Sequence, residues 1–97
     1  MQFISGKKAK GLIASKNALL IDTRDAFVFS KGSLPGAKNL SLRNLTNELM
    51  VQSKKKKVPI ILFSNENDED MPVAVKYAEN YGFDVFVLKN MAEWEKE

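Results

Sequence analysis

The 97-residue chain has no cysteine and no histidine. Without cysteine there can be no disulfide, and within these residues no thiolate nucleophile or thiolate metal ligand. Without histidine, the usual general base near neutral pH and the usual imidazole ligand are missing as well. The lack of cysteine suits a reducing compartment. No apolar run approaches the length of a membrane-spanning helix. The opening stretch MQFISGKKAKGLIASKN has no sustained apolar segment of the kind a secretory signal needs. Together these absences set the expectation of a cytoplasmic protein with no membrane partner. Internal repeats are also absent, and the lysine run Lys54–Lys57 is the sole low-complexity stretch.

What is present is ordinary for a folded domain. Hydrophobic residues make up 44% of the chain and charged residues 28%, which argues against disorder. This length fits one domain over residues 1–97 with one core. The net charge of +3 is local, coming from Lys54–Lys57 and the smaller cluster Lys7, Lys8 and Lys10. Such runs are most simply solvated surface. No aromatic residues are interleaved with them, so the stacking platform of a single-strand binder is missing and nucleic acid is an unlikely partner.

Apolar periodicity alternates between strand and helix. Residues 2–4 suit a short edge strand, and Ser5 suits the N-cap of a helix over 6–15 carrying Leu12 and Ile13 on its apolar side. ALLID (18–22) reads as a buried strand. AFVFSKG suggests a short helix stopped at Gly32, with Phe27 or Phe29 buried. Pro35–Gly36 marks a turn before a short strand at 37–41. Leu42, Leu45, Leu49 and Met50 then recur at helical intervals. VPIILFS (58–64) is the clearest buried strand. MPVAVKYAENYG reads as a helix packing Val73, Val75, Ala78 and Tyr81 and ending at Gly82. DVFVLK is a further strand, and Trp94 anchors a final helix. The order implies an α/β domain with a mainly parallel central sheet flanked by helices. In such sheets ligands bind beyond the carboxyl ends of the strands, so the loop SNENDED after the strongest strand is the candidate site.

The segment LLIDTRDAFVFSKGSLPGAKNLSL resembles the rhodanese-like domains of the sulfurtransferase superfamily. Asp22 and Arg24 match that family's Asp-x-Arg, and Phe29 stands at its aromatic position. Gly32, Leu34, Pro35, Gly36, Ala37 and Asn39 follow in register, with Ser33 in place of the usual histidine. Gly82, DVFVLK and Trp94 extend the likeness over nearly the whole chain, although Asn90 stands where paired glycines are usual. The resemblance implies a rhodanese fold and places Asp22 and Arg24 beside the active-site loop as an architectural pair. It also implies that the family's Cys-Arg-x-Gly-x-Arg loop falls on Ser64–Glu69. Ser64 takes the cysteine position, Asn65 and Glu69 the two arginine positions, and Asn67 the glycine position.

That exchange changes the chemistry. Sulfur transfer needs a thiolate that takes up sulfane sulfur as a persulfide. A serine hydroxyl cannot form the same S–S bond. Glu66, Asp68, Glu69 and Asp70 would each repel an anion in the loop by roughly 1 kcal/mol even in water-like dielectric. The expectation is therefore a rhodanese-like domain without sulfurtransferase activity, acting as a binding or regulatory module. Asn65, Glu66, Asn67, Asp68, Glu69 and Asp70 would face a protein partner with a basic surface. A sulfurtransferase whose cysteine was exchanged for serine is the alternative, although CNENDED would still lack arginine. A cation-responsive loop is a further one, although the EF-hand pattern fails at Asp70 and Lys76. The acids also have a structural reading, with Asp70 capping the helix near Met71–Pro72. Serine-hydrolase chemistry lacks both the Gly-x-Ser-x-Gly elbow and a base. No cofactor is expected.

Overall fold

Four consecutive apolar residues, Ile60–Phe63, are fully buried and form β3 near the middle of the sheet. A strand without a polar face must be covered on both sides, and that is the situation of a parallel sheet between helical layers. The structure, a computed structural model, describes residues 1–55, 57–65 and 67–95. Leu19–Asp22 forms β1, Lys38–Asn39 β2 and Val85–Leu88 β4. The sheet is four-stranded, in the order β2-β1-β3-β4, and every pair is parallel. Leu19–Asp22 lies in register with Ile60–Phe63, which in turn pairs with Val85–Leu88.

The two faces of the sheet divide the strand residues by alternation. Ile60 and Leu62 share one face with Ile21, Val85 and Val87. That face is covered by α3 (Leu42–Ser53) through Leu45 and Leu49, and by α4 (Met71–Asn80) through Met71, Ala74, Val75 and Ala78. Ile61 and Phe63 face the other way with Leu20 and Leu88. There they meet α1 (Gly6–Lys16), through Ala9, Leu12 and Ile13, and the final 3₁₀ turn Met91–Glu95, through Met91 and Trp94. A short helix α2 (Ala26–Ser30) follows β1.

Local chemistry fixes the helix ends. The Ser5 side chain accepts a hydrogen bond from the Lys8 N–H at 3.1 Å, so Ser5 is the N-cap of α1 as its position suggests. Asn17 closes the same helix in the left-handed region at φ 56°, a conformation that asparagine tolerates better than most residues. Gly82, at φ 86°, ends the turn after α4.

Several expectations need correction. Residues 2–4 do not make an edge strand, and a single parallel bridge joins Phe3 to Val87. The strand expected at 37–41 is only Lys38–Asn39, because the chain turns at once into α3. Phe29 is half-buried, whereas Phe27 is 70% exposed. On α4 the packed residues are Met71, Ala74, Val75 and Ala78, and Val73 lies on the outer side. Tyr81 is half-buried and packs against this core as expected, whereas Met50 is on the exposed side of α3. The apolar residues around Val73 and Met50 are adjacent in sequence, so apolarity alone did not single out the inward face.

Gly6 shows how tightly the last turn docks. It is buried, and a Cβ there would collide with the backbone carbonyls of Glu93 and Trp94. Helix propensity counts against glycine at this position, but the close approach requires it. Gly6→Ala is expected to destabilise the domain by roughly 1–3 kcal/mol through overpacking. Thermal melting followed by Trp94 fluorescence checks this, and an unchanged melting temperature would contradict the docking.

Candidate functional site

β1 connects leftward to β2, while its neighbour β3 connects rightward to β4. Loops leaving adjacent strands in opposite directions open a crevice at their carboxyl ends, the usual ligand position in an open parallel sheet. Two segments meet there: Asp22–Asp25 after β1, and Ser64–Asp70 after β3.

Ser64 follows β3 directly and is buried at 3% exposure. Its hydroxyl donates to Asp68 Oδ2 at 2.5 Å. The other oxygen of the same carboxylate, Oδ1, accepts the Asp70 N–H at 2.9 Å. The backbone folds in support, with the Asp68 N–H donating to the Asn65 carbonyl and the Met71 N–H to the Asp68 carbonyl, each at 3.2 Å. Asn67 adopts the left-handed region at φ 64° and turns the chain back on itself. Asp68 thus points into its own loop and takes up donors that lie ahead of α4. Asp70 sits at the N-cap position but makes no side-chain capping bond. The side-chain capping expected of Asp70 is not made: its backbone is already helical (φ −82°, ψ −10°), and the Asp68 carboxylate instead accepts the Asp70 N–H just ahead of the helix.

Asn65, Asn67, Glu69 and Asp70 are exposed and Asp68 is half-buried, while Glu66 lies outside the described residues. Among the described residues no group of three or more acidic side chains could hold a metal ion, so the cation reading gains no support.

On the β1 side, Asp22 has no exposed surface and Arg24 keeps 10% of its side chain exposed. Arg24 Nε donates to both Asp22 oxygens at 3.0 and 3.1 Å, and Nη2 donates to Oδ2 at 2.7 Å. The Arg24 N–H adds a bond to Oδ1 at 2.9 Å, and the Ser33 hydroxyl one to Oδ2 at 2.8 Å. Burial pushes the Asp22 carboxyl up, but the Arg24 and Ser33 hydrogen bonds outweigh it and hold the group below the usual carboxylate range. Arg24 also donates to the Gly32 carbonyl at 2.7 Å, tying the Gly32–Pro35 turn to the strand end.

Other residues of the crevice carried no sequence signal as site residues. Ser33 stood out only as a replacement, yet it completes the ligation of Asp22. The Asn39 amide donates to the carbonyls of Asp22 and Arg24 at 3.1 and 2.7 Å. Thr23 Oγ1 donates to the Phe63 carbonyl at 3.3 Å. Two clefts flank the Ser64 loop. One, of about 130 Å³, lies between the loop and Met1, Phe3, Met71, Val87 and Leu88. The other, of about 270 Å³, is lined by Thr23, Asp25, Ser41, Arg43, Asp68 and Asp70. Arg43 faces carboxylates there although it is distant from them in sequence.

A parallel α/β sheet with a strand–loop–helix site at its switch point, buttressed by an Asp-x-Arg pair, defines the class of this protein. The family model described as rhodanese-like domain matches residues 5–97, and the chain belongs to that family of sulfurtransferase-type domains. A relative from Buchnera aphidicola subsp. Schizaphis graminum (strain Sg), described as an uncharacterized protein, is 30% identical over 99 residues. That match covers 99% of this chain and 66% of the relative, so the chain spans a little under two thirds of the relative's length. The crystal structure of a Rhodanese_3-like domain from Anabaena sp. is 26% identical, with a TM-score of 0.67, covering 79% of this chain and 88% of that one. A human single-domain sulfurtransferase, 23% identical, shares the fold with a TM-score of 0.74 over 100% of this chain and 98% of that one.

Replacing Asp22 by asparagine leaves Arg24 without its counter-charge in a nearly closed site. Asp22→Asn is expected to cost about 3 kcal/mol at neutral pH. A carboxyl held below its unfolded value near 3.9 contributes stability above that pH and loses it as the pH falls through the folded value. The gap between native and variant proteins should therefore stay constant from about pH 5 to 8 and narrow below about pH 4. Urea titrations across that range measure it, and a gap that does not change with pH would contradict the ion pair.

Proposed function

We propose that this rhodanese-like domain does not transfer sulfur and serves as a binding or regulatory module, with the loop 64–70 offering carboxylates to a basic surface on a protein partner. The observation that carries the reading is the Ser64 hydroxyl donating to Asp68 at the nucleophile position. Sulfur transfer requires a thiolate that attacks sulfane sulfur, forms an S–S bond and expels the donor anion. The 97 residues supply no thiol, and a hydroxyl has no equivalent stable product.

Restoring the sulfur alone would not restore the site. The incoming donor is an anion, and family loops hold such groups with backbone N–H donors and arginine. Here Asp68 lies inside the loop, and Asp70 and Glu69 stand at its rim. A fixed carboxylate in the same cradle competes for the donors and repels the substrate. The same charges suit lysine or arginine side chains, which gives the module reading its partner chemistry.

Ser64→Cys is expected to give no thiosulfate–cyanide turnover above background. Turnover would mean that only the nucleophile had been removed from a working enzyme, which contradicts the proposal.

A further inference from the structure

We propose that the outer face of the α3–α4 layer, together with the lysines at its lower end, is a docking surface for an anionic phospholipid membrane. α3 and α4 are both crossovers between parallel strands on the same face of the sheet, so they run side by side in the same direction. Their C-terminal ends therefore meet at the end of the sheet opposite the Ser64 crevice. Lys54 and Lys55 follow α3 directly and Lys57 lies against Gly82 just beyond α4, so these three lysines sit beside the two helix ends.

The exposed line of α3 carries Arg43, Asn47, Met50 and Val51, followed by Lys54 and Lys55 beyond its end. Its one acid, Glu48, is half-buried and paired with Lys38. Met50 and Val51 are 43% and 47% exposed, and Val73 on α4 is 40% exposed. Tyr77 and Tyr81 are half-buried and pack against the core beneath this layer, and Lys76 is exposed. Glu79 and Asp84 are the exposed acids near this end. Cations at a helix C-terminus have a structural use in opposing the dipole. That use explains neither the acid-free line along α3 nor the apolar residues at its centre.

The shape and chemistry of the face select the occupant. None of the clefts described above, nor the one beside β1 and β2, is lined by Met50, Val51, Tyr77 or Tyr81. Nucleic acid would use the lysines but leave Met50 and Val51 against phosphate and water. A bilayer with anionic headgroups is a yielding surface that accepts lysine charge at the headgroups and short apolar side chains just below them. The expectation of no membrane partner rested on the absence of a spanning segment, and a surface contact needs none.

The test is co-sedimentation of the full chain with vesicles of phosphatidylcholine, alone or with about one third phosphatidylglycerol. Binding is expected only with the anionic lipid, and most of it should be lost when salt is raised from about 0.05 to 0.5 M. Lys54→Glu, Lys55→Glu and Lys57→Glu together should weaken binding about tenfold or more, because each charge near the surface contributes separately. Met50→Ser with Val51→Ser should weaken it about threefold or more at unchanged charge. Thermal melts confirm that both variants are folded. Failure to bind anionic vesicles at low salt would overturn the proposal. So would a lysine variant that binds as before, or binding to duplex DNA that survives the serine changes while vesicle binding is weaker.

Discussion

The Ser64 hydroxyl and the Asp70 amide both donate to one carboxylate, that of Asp68. Everything at the carboxyl end of β3 is arranged around that carboxylate. A loop that leads from a buried strand into a helix presents N–H donors, and something anionic has to sit among them or water must. In this chain the anion is a side chain of the loop itself. It is held on one side by a serine at the floor of the crevice and on the other by the first turn before α4. An external anion would have to displace a covalently tethered one, whose effective concentration is high, while approaching the carboxylates of Asp70 and Glu69.

The scaffold beneath that loop remains intact. Asp22, Arg24, Ser33 and Asn39 form a closed set of hydrogen bonds joining the end of β1, the Gly32–Ser33 segment and the end of β2. Among the described residues no buried side-chain polar atom is left without a partner. Burying a charge this deeply is tolerable only with such complete pairing. Ser33 supplies a donor with a much smaller side chain than the histidine usual in the resembling motif. The domain thus keeps the buttress of the crevice while the loop that it supports has a different character.

Much of the fold was legible because parallel sheets leave a strong trace. Buried strands such as Ile60–Phe63 read as unbroken apolar runs, and Ser5, Gly82 and the Pro35–Gly36 turn punctuate the chain where their backbones require. Orientation was less legible. Val73 and Val75 look alike in sequence, and only the packing of α4 on the sheet distinguishes the exposed one from the buried one. The positions of Ser64 and of Asp22 with Arg24 followed from the motif and its spacing. The bond between Ser64 and Asp68 did not, since it depends on the left-handed turn at Asn67, which brings the Asp68 side chain back to Ser64. Ser33 reaches Asp22 through tertiary structure alone, so no local pattern could mark it.

The most direct test of this account is a titration of the native protein with thiosulfate or sulfate, followed residue by residue through the backbone amide resonances of residues 64–71 at constant ionic strength. With Asp68 seated among the donors, the amides of Ser64, Asp68, Asp70 and Met71 should show no saturable shift. A saturating response at those amides would mean that the cradle still accepts an external anion, and the account of the loop would be wrong.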